Sequence, residues 1–436
     1  MDQQAVLVPV PCAHSTPLAL ASAKPPSLRR FHLIGGAARR AARQQRVASV
    51  SSVAPLPITS VTGRKLVFVI TEDWFFASHF LPMARAAREM GLDVTVVTRV
   101  RDHRTVIEET GARVIPLQAE RKSLNPMAAG YAAGQLASIL RDERADLVHC
   151  IALRSIIVGG TAAAMAGVSR RVYALTGLGF LGARSDWLGR ASQAALRTLV
   201  RRLETKRTRY LFENPDDPRH LGLDPADESR VSIVGGAGVN PKELAPEPLP
   251  AQPPLKIAVV ARMLWSKGID LAVEAVRLAR AGGAEIELSL YGSPDPSNPK
   301  AVPEAKLRSW SETPGIQWHG STKDIAGVWR DHHVCCLPSR GGEGLPRTVL
   351  EGAACGRAVV TTDVPGCRTF VRDGVEGMVV APNDAAALAD AFRVLAADPS
   401  LVERMGQAAR ARVLEGFTER AVMDSVQRLY REMLAS

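Results

Sequence analysis

The stretch PSRGGEGLPRTVLEGAACGRAVVTT, residues 338–362, reads as the end of a strand, a glycine-rich turn, a helix and a second strand. Residues 333–337, just ahead of it, are an apolar run with the length of a buried strand. Residues 340–344 form the turn, a helix runs from about Pro346 to a stop at Gly356, and residues 358–362 are the next strand. Proline suits the first helical turn, where a missing N–H costs nothing. The free amides near Leu345, Arg347 and Thr348 then face the end of the first strand with the positive end of the helix dipole behind them, and Gly344, Leu345 and Pro346 are the candidate contacts. That arrangement suits an anion, most naturally a phosphate.

Glu343 lies in the turn and Glu351 lies on the helix, eight positions on. Helical side chains lean toward the N-terminus, so both carboxylates reach one pocket. Carboxylates accept hydrogen bonds from paired hydroxyls. Two of them beside a phosphate site point to a sugar nucleotide, one acid for the ribose diol and one for the sugar. The plain alternative is one Glu near a helix cap and one in solvent; the glycine turn, the proline start and the flanking strands weigh against it.

Working outward, strands alternate with helices along residues 65–380, the pattern of parallel doubly wound sheets with ligands at the carboxyl ends of their strands. In the first half strands are expected at 65–70, 93–98, 113–117, 146–151, 171–175, 210–213 and 231–234, with loops to watch at 71–79, 150–155, 176–182 and 235–240. Residues 241–255 carry six prolines and read as a linker. The alternation then restarts with strands at 256–261, 285–291, 316–319 and 333–337. The organisation is an N-terminal Rossmann-like domain over 64–240, a linker over 241–255, a second such domain over 256–415 and a terminal amphipathic helix over 416–436.

The chain of 436 residues has a net charge of +11, but residues 1–65 hold nine Lys or Arg against Asp2 alone. The remainder therefore carries only +3, which argues against nucleic acid as a partner. Residues 1–63 are rich in Ala, Ser, Pro and Arg without periodicity. They are expected to be disordered or to come from a mis-set start codon, ahead of a targeting segment or a lipid-touching arm. No apolar run reaches the ~20 residues of a spanning helix. None of the six cysteines makes a CxxC pair, and no D-x-D spacing occurs, so no metal site is expected. The protein is expected in the cytoplasm, with a peripheral place on the inner face of the membrane as an extension of that reading.

Arg262 and Lys267 follow the first strand of the second domain. Two fixed cations there would stabilise charge growing on a leaving diphosphate without a metal. Solvated cations at a helix start are the alternative, and a helix N-terminus disfavours cations. Gly236, within the run 235–238, permits close approach of the backbone to a donor or simply forms a loop. His79 ends the first loop and would bind the acceptor, handle a proton, or merely open a helix. His149, after an apolar strand, is expected to be a satisfied core histidine. Residues 187–210 hold seven Lys or Arg against Glu204, with Trp187 and Leu188 ahead, a pattern suited either to an anionic membrane surface or to a solvated helix face.

The wording EGLPRTVLEGAACGRAVVTTDVPGCR, residues 343–368, resembles the E-x7-E block of retaining family 4 glycosyltransferases of GT-B fold, in the subgroup that extends sugars on lipid-linked carriers in bacteria. The resemblance runs from about Arg64 to the C-terminus. It implies two Rossmann-like domains facing across a cleft, and a terminal helix that crosses back to the first. It also implies a UDP- or GDP-sugar donor, Arg262 and Lys267 on the diphosphate, Glu351 on the ribose and Glu343 close to the donor sugar, as nucleophile or stabiliser, with the stabiliser preferred. A polyprenyl-diphosphate-linked saccharide in surface polysaccharide synthesis is the implied acceptor. Two departures stand out: the loop 174–180 lacks the family's histidine, leaving backbone amides or Thr176 to replace it, and Thr369 stands where relatives carry Glu. A same-fold transferase acting on a soluble acceptor and a non-catalytic nucleotide-binding Rossmann protein are the rival readings. The second lacks a G-x-G-x-x-G after the first strand.

Overall fold

The computed structural model describes residues 61–117, 126–177, 187–295 and 298–435. Most of the basic leader and residues 178–182 of the fifth strand's loop lie outside that description. Strands β1 (Lys65–Glu72), β2 (Asp93–Arg99), β3 (Arg113–Pro116), β4 (Leu147–Ile151), β5 (Arg171–Leu175), β6 (Thr208–Phe212) and β7 (Val231–Ile233) form one parallel sheet, ordered β3-β2-β1-β4-β5-β6-β7. Strands β8 (Leu255–Val260), β9 (Ile286–Tyr291), β10 (Ile316–Gly320), β11 (Val334–Leu337), β12 (Ala358–Thr362) and β13 (Gly377–Val380) form a second, ordered β10-β9-β8-β11-β12-β13. Both faces of such sheets are covered, which is why β4, β5 and β12 are buried at every position. Cys335 and Cys336 accordingly enter different clusters.

The strand order reverses between β1 and β4 in the first sheet and between β8 and β11 in the second. Ligand crevices in doubly wound sheets open beyond the carboxyl ends of such strands. The helices that line these ends or seal the sheets are α1 (Asp73–His79), α2 (Leu81–Glu89), α3 (Leu153–Met165), α4 (Trp187–Arg202), α5 (Ile269–Ala281), α6 (Arg347–Ala354) and α7 (Glu419–Ala435).

Two local readings need correction. Residues 71–79 are not a loop: β1 continues to Glu72 and α1 follows at once. Asp73 caps the turn by accepting the amides of Trp74 (2.7 Å), Arg101 (2.6 Å) and His103 (3.1 Å), while Phe76 is fully buried. A seven-residue helix has too few turns to show a period. Pro346 is the residue before α6 rather than its first member, with φ −67° and ψ 118°. Lys267 lies in a 3-10 turn, Trp265–Lys267, that Gly268 ends.

Helix α7 packs on the first sheet: Val422, Val426, Leu429, Tyr430 and Met433 share a core with Leu66, Phe68 and Ile70 of β1. Within it, His149 Nδ1 lies 2.7 Å from the Tyr430 hydroxyl while its Nε2 has no partner among the described residues. Complete burial pushes this imidazole down to about 3, so it is neutral in the core. Tyr430→Phe strands the second ring nitrogen and is expected to cost about 1–3 kcal/mol in urea unfolding.

Candidate active site

The turn after β11 and the segment after β8 meet because the two strands are neighbours, paired Val334 to Ile257 and Cys335 to Ala258. Lys267 Nζ donates to Glu343 Oε1 at 2.8 Å and Oε2 at 2.7 Å, and the Ser339 hydroxyl donates to Oε1 at 2.7 Å. Both members of the ion pair are largely buried, at 18% and 11% side-chain exposure. Arg340 braces the turn with two 2.8 Å bonds to the Asp270 carboxylate in the first turn of α5.

Glu351 is buried on α6 and accepts from Arg347 Nε at 2.8 Å. Burial raises its carboxyl above the usual range, and the Arg347 charge and hydrogen bond work against that rise. Arg347 Nη1 also donates to the Ser78 carbonyl, which ties α6 to the end of α1. His79 follows. Its Nδ1 is 2.6 Å from Ser78 Oγ and its ring centroid 4.9 Å from that of Phe75. Burial and then the charges of Arg347, Lys267 and Arg262 hold its pKa down to about 4. One imidazole from the first sheet thus sits among three cations from the second. Arg262 leans to the N-terminal side, its guanidinium carbon 5.8 Å from the Trp74 ring centre.

The expected anion site is partly occupied by the chain itself. The Leu345 amide donates to Glu213 Oε2 at 2.8 Å, from the residue just past β6. Gly344 permits this approach: a Cβ there would lie 2.1 Å from that oxygen and 2.6 Å from the Thr176 carbonyl. Gly236, at φ +64°, packs against Leu345, whereas Gly235 and Gly238 pack against residues 416–419. Thr369 donates to the Pro365 carbonyl within its own helix. In the basic segment, Arg197 and Arg209 donate to the carbonyls of His220 and Glu228, while Arg201, Arg202, Lys206 and Arg207 remain exposed beside Leu199. The side chains of Trp187, Leu188 and Arg190 lie outside the described residues. No described helix is long and apolar enough to cross a membrane, and no three described His, Cys, Asp or Glu side chains group as metal ligands.

Sequence reasoning passed over Ser339, Arg347 and Glu213. The i, i+4 spacing of Arg347 and Glu351 was the available signal for the second. Glu213 closes an apolar strand at its carboxyl end, the place where a charged side chain in a doubly wound sheet faces the crevice. Burial pushes its carboxyl up to about 7, against 4.5 ordinarily. The folded state therefore holds this proton longer than the unfolded chain does, and stability falls as pH rises from about 4.5 to 7. Glu213→Gln should remove that loss. Melting of the variant relative to the parent should improve steadily from pH 5 to pH 8, by up to about 3 kcal/mol.

With this geometry in view, residues 254–398 match the family described as Glycosyl transferases group 1 and residues 65–209 the family described as Glycosyl transferase 4-like. A Campylobacter jejuni protein named N,N'-diacetylbacillosaminyl-diphospho-undecaprenol alpha-1,3-N-acetylgalactosaminyltransferase is 23% identical over 373 residues, 82% of this chain and 96% of that protein. Among solved structures, a glycosyltransferase from Rickettsia africae superposes with a TM-score of 0.68 at 18% identity, over 85% of this chain and 99% of its own. Anabaena HepE in complex with UDP and glucose superposes with a TM-score of 0.67 at 16% identity, over 86% of this chain and 100% of its own. At these identities the structural likeness concerns the fold.

Proposed function

Because the chain belongs to the family 4 glycosyltransferases of GT-B fold, we propose that it moves a sugar, with retention, from a UDP- or GDP-sugar to a hydroxyl of a lipid-diphosphate-linked saccharide. The observation that carries the reading is the Lys267–Glu343 contact at the carboxyl ends of β8 and β11. The ammonium is held where a diphosphate would lie, and the carboxylate stands ready to accept hydroxyls of the donor sugar once the phosphate takes the lysine over.

The roles follow from charge. The bond from the sugar's anomeric carbon to the departing phosphate oxygen breaks, and the bond to the acceptor oxygen forms on the same face. The acceptor proton ends on the departing diphosphate. Arg262 and Lys267 stabilise the negative charge that grows there. The backbone over Gly344, Leu345 and Pro346, with Gly236 against it, approaches the donor, and Glu351 accepts the ribose diol with Arg347 fixing its orientation. His79, neutral above its lowered pKa, accepts a hydrogen bond from the incoming hydroxyl. With two cations on the diphosphate, activity is expected to survive EDTA.

The exposed Arg201, Arg202, Lys206 and Arg207 beside Leu199 support work at an anionic bilayer on the cytoplasmic side. The consumption of Arg197 and Arg209 inside the protein favours the second reading, a soluble acceptor. Two measurements decide. A melting screen over UDP- and GDP-sugars should single out one nucleotide; no shift with any of them ends the donor assignment. Co-sedimentation with vesicles of phosphatidylglycerol should weaken when those four cations are reversed to Glu, and absence of binding by the parent favours the soluble acceptor.

A further inference from the structure

Glu213 is a buried acid to which the proposed reaction gives no part, and it stands where the two sheets meet. It follows β6 of the first sheet, yet it accepts the Leu345 amide from the turn after β11 of the second. Its neighbour Asn214 is fully buried and donates to the Gly344 carbonyl at 3.5 Å and to Asp217 Oδ2 at 2.9 Å. Gly177, after β5, has φ +102°; a Cβ there would lie 2.6 Å from the Gly344 nitrogen and 3.0 Å from the Glu343 carbonyl carbon. On the other side of the turn, a Cβ on Gly366 would lie 1.8 Å from the Gly344 carbonyl oxygen. The backbone that carries Glu343 is thus gripped from both sheets, and its place depends on their being joined.

The charged groups facing Glu213 are acids. Asp217, four positions on, is 4% exposed, with Asn214 and the charge of His220 acting on it. Glu343 faces it from the turn and is itself covered by Lys267. Burial outweighs the Leu345 hydrogen bond, and Asp217 and Glu343 add to it, so the carboxyl keeps its proton up to about 7. Ionisation leaves a desolvated charge beside two acids. Water reaches that charge once the turn lifts off the first sheet, an opening much smaller than unfolding. Two other ties between the sheets, Arg368 to Asp216 at 3.0 Å and Arg347 to the Ser78 carbonyl, are made by guanidiniums that stay charged throughout. Release at Glu213 is therefore local.

We propose that Glu213 is a positioning residue for Glu343: as the neutral acid it holds the Gly344–Leu345 backbone on the first sheet, and as the anion it lets that backbone go. The consequence for turnover rests on the transferase reading above, because Glu343 meets the donor sugar in place only while the turn is held. The holding itself does not depend on that reading.

The test is hydrogen exchange of residues 343–349 in the full chain at pH 6 and pH 8.5, corrected for the intrinsic rise of exchange with pH. The parent should lose about tenfold in protection over that interval. Glu213→Gln keeps an oxygen for the Leu345 amide but cannot ionise, so its protection should change by less than about twofold. Glu213→Leu offers no acceptor and should exchange at pH 6 as fast as the parent does at pH 8.5. The kcat/KM for the sugar nucleotide selected by the melting screen should follow, falling about tenfold in the parent between the two pH values and holding level in Glu213→Gln. A merely structural Glu213 would leave the shape of that profile alone. Equal protection of the parent at both pH values overturns the inference, as does a kcat/KM of the parent that does not fall. An alkaline loss in folded Glu213→Gln equal to the parent's overturns it too. Melting curves establish folding, and the parent's own exchange decides if a variant does not fold. Exchange that switches as expected in a chain that binds no sugar nucleotide keeps the hold of Glu213 on the turn and ends the transferase reading.

Discussion

Lys267→Ala is expected to lower kcat by about 10²–10³-fold at saturating donor, with a smaller rise in the donor KM. The reason is timing. Charge on the bridging phosphate oxygen grows as the glycosidic bond stretches, so a fixed ammonium interacts more strongly with the transition state than with the bound donor, and removing it falls mainly on turnover. The same change strands Glu343, which is 11% exposed and loses its cation. Breaking a buried ion pair costs about 3–5 kcal/mol. Stability and catalysis separate in the double variant Lys267→Ala/Glu343→Gln: its melting temperature should recover most of that loss, while its turnover stays low. A kcat for folded Lys267→Ala within twofold of the parent would refute the role.

Gly268→Ala should be among the most damaging single methyls in the cleft. Gly268 has φ +70°, and a Cβ there would sit 2.0 Å from the Pro338 carbonyl oxygen. That oxygen belongs to backbone and cannot rotate away. The left-handed conformation adds about 1–2 kcal/mol for an L residue, and overpacking a further 1–3. A total of about 3 kcal/mol or more is expected in chemical unfolding. Relief must move residues 338–339, and Ser339 orients Glu343, so turnover should fall as well. Gly283→Ala is the control: φ is +87° but nothing lies within 4 Å of the added methyl, so only the conformational cost should appear. A loss under 1 kcal/mol for Gly268→Ala would show that the turn yields easily.

Continuous apolar runs made the strands readable. β5 and β12 run over the expected residues, and the other strands expected above differ by one or two residues at one or both ends. Such strands are buried on both faces, so composition alone marks them. The E-x7-E turn was legible for a related reason, since glycine, proline and a dipole must coincide there. What the sequence concealed were contacts between distant segments. Glu213 meets Leu345 across 132 positions, and Arg347 meets the carbonyl of Ser78 across 269. Neither has a local period or spacing to betray it. Helix α1 was hidden by brevity, and Glu72 by looking like loop at the end of an apolar strand. The 3-10 turn carrying Lys267 is likewise too short for a repeat.

The placement of α7 bears on how the protein is made. Strand β1 is made more than three hundred residues before α7, yet its Leu66, Phe68 and Ile70 face a core completed by Val422, Val426 and Tyr430. During synthesis that face waits through more than three hundred residues for its cover. Exposed apolar surface of this kind is what chaperones hold and what aggregates when they are scarce. The nascent first half therefore stays open until α7 has been made, and truncation before Val422 would release a chain whose second sheet is whole and whose first is unsealed.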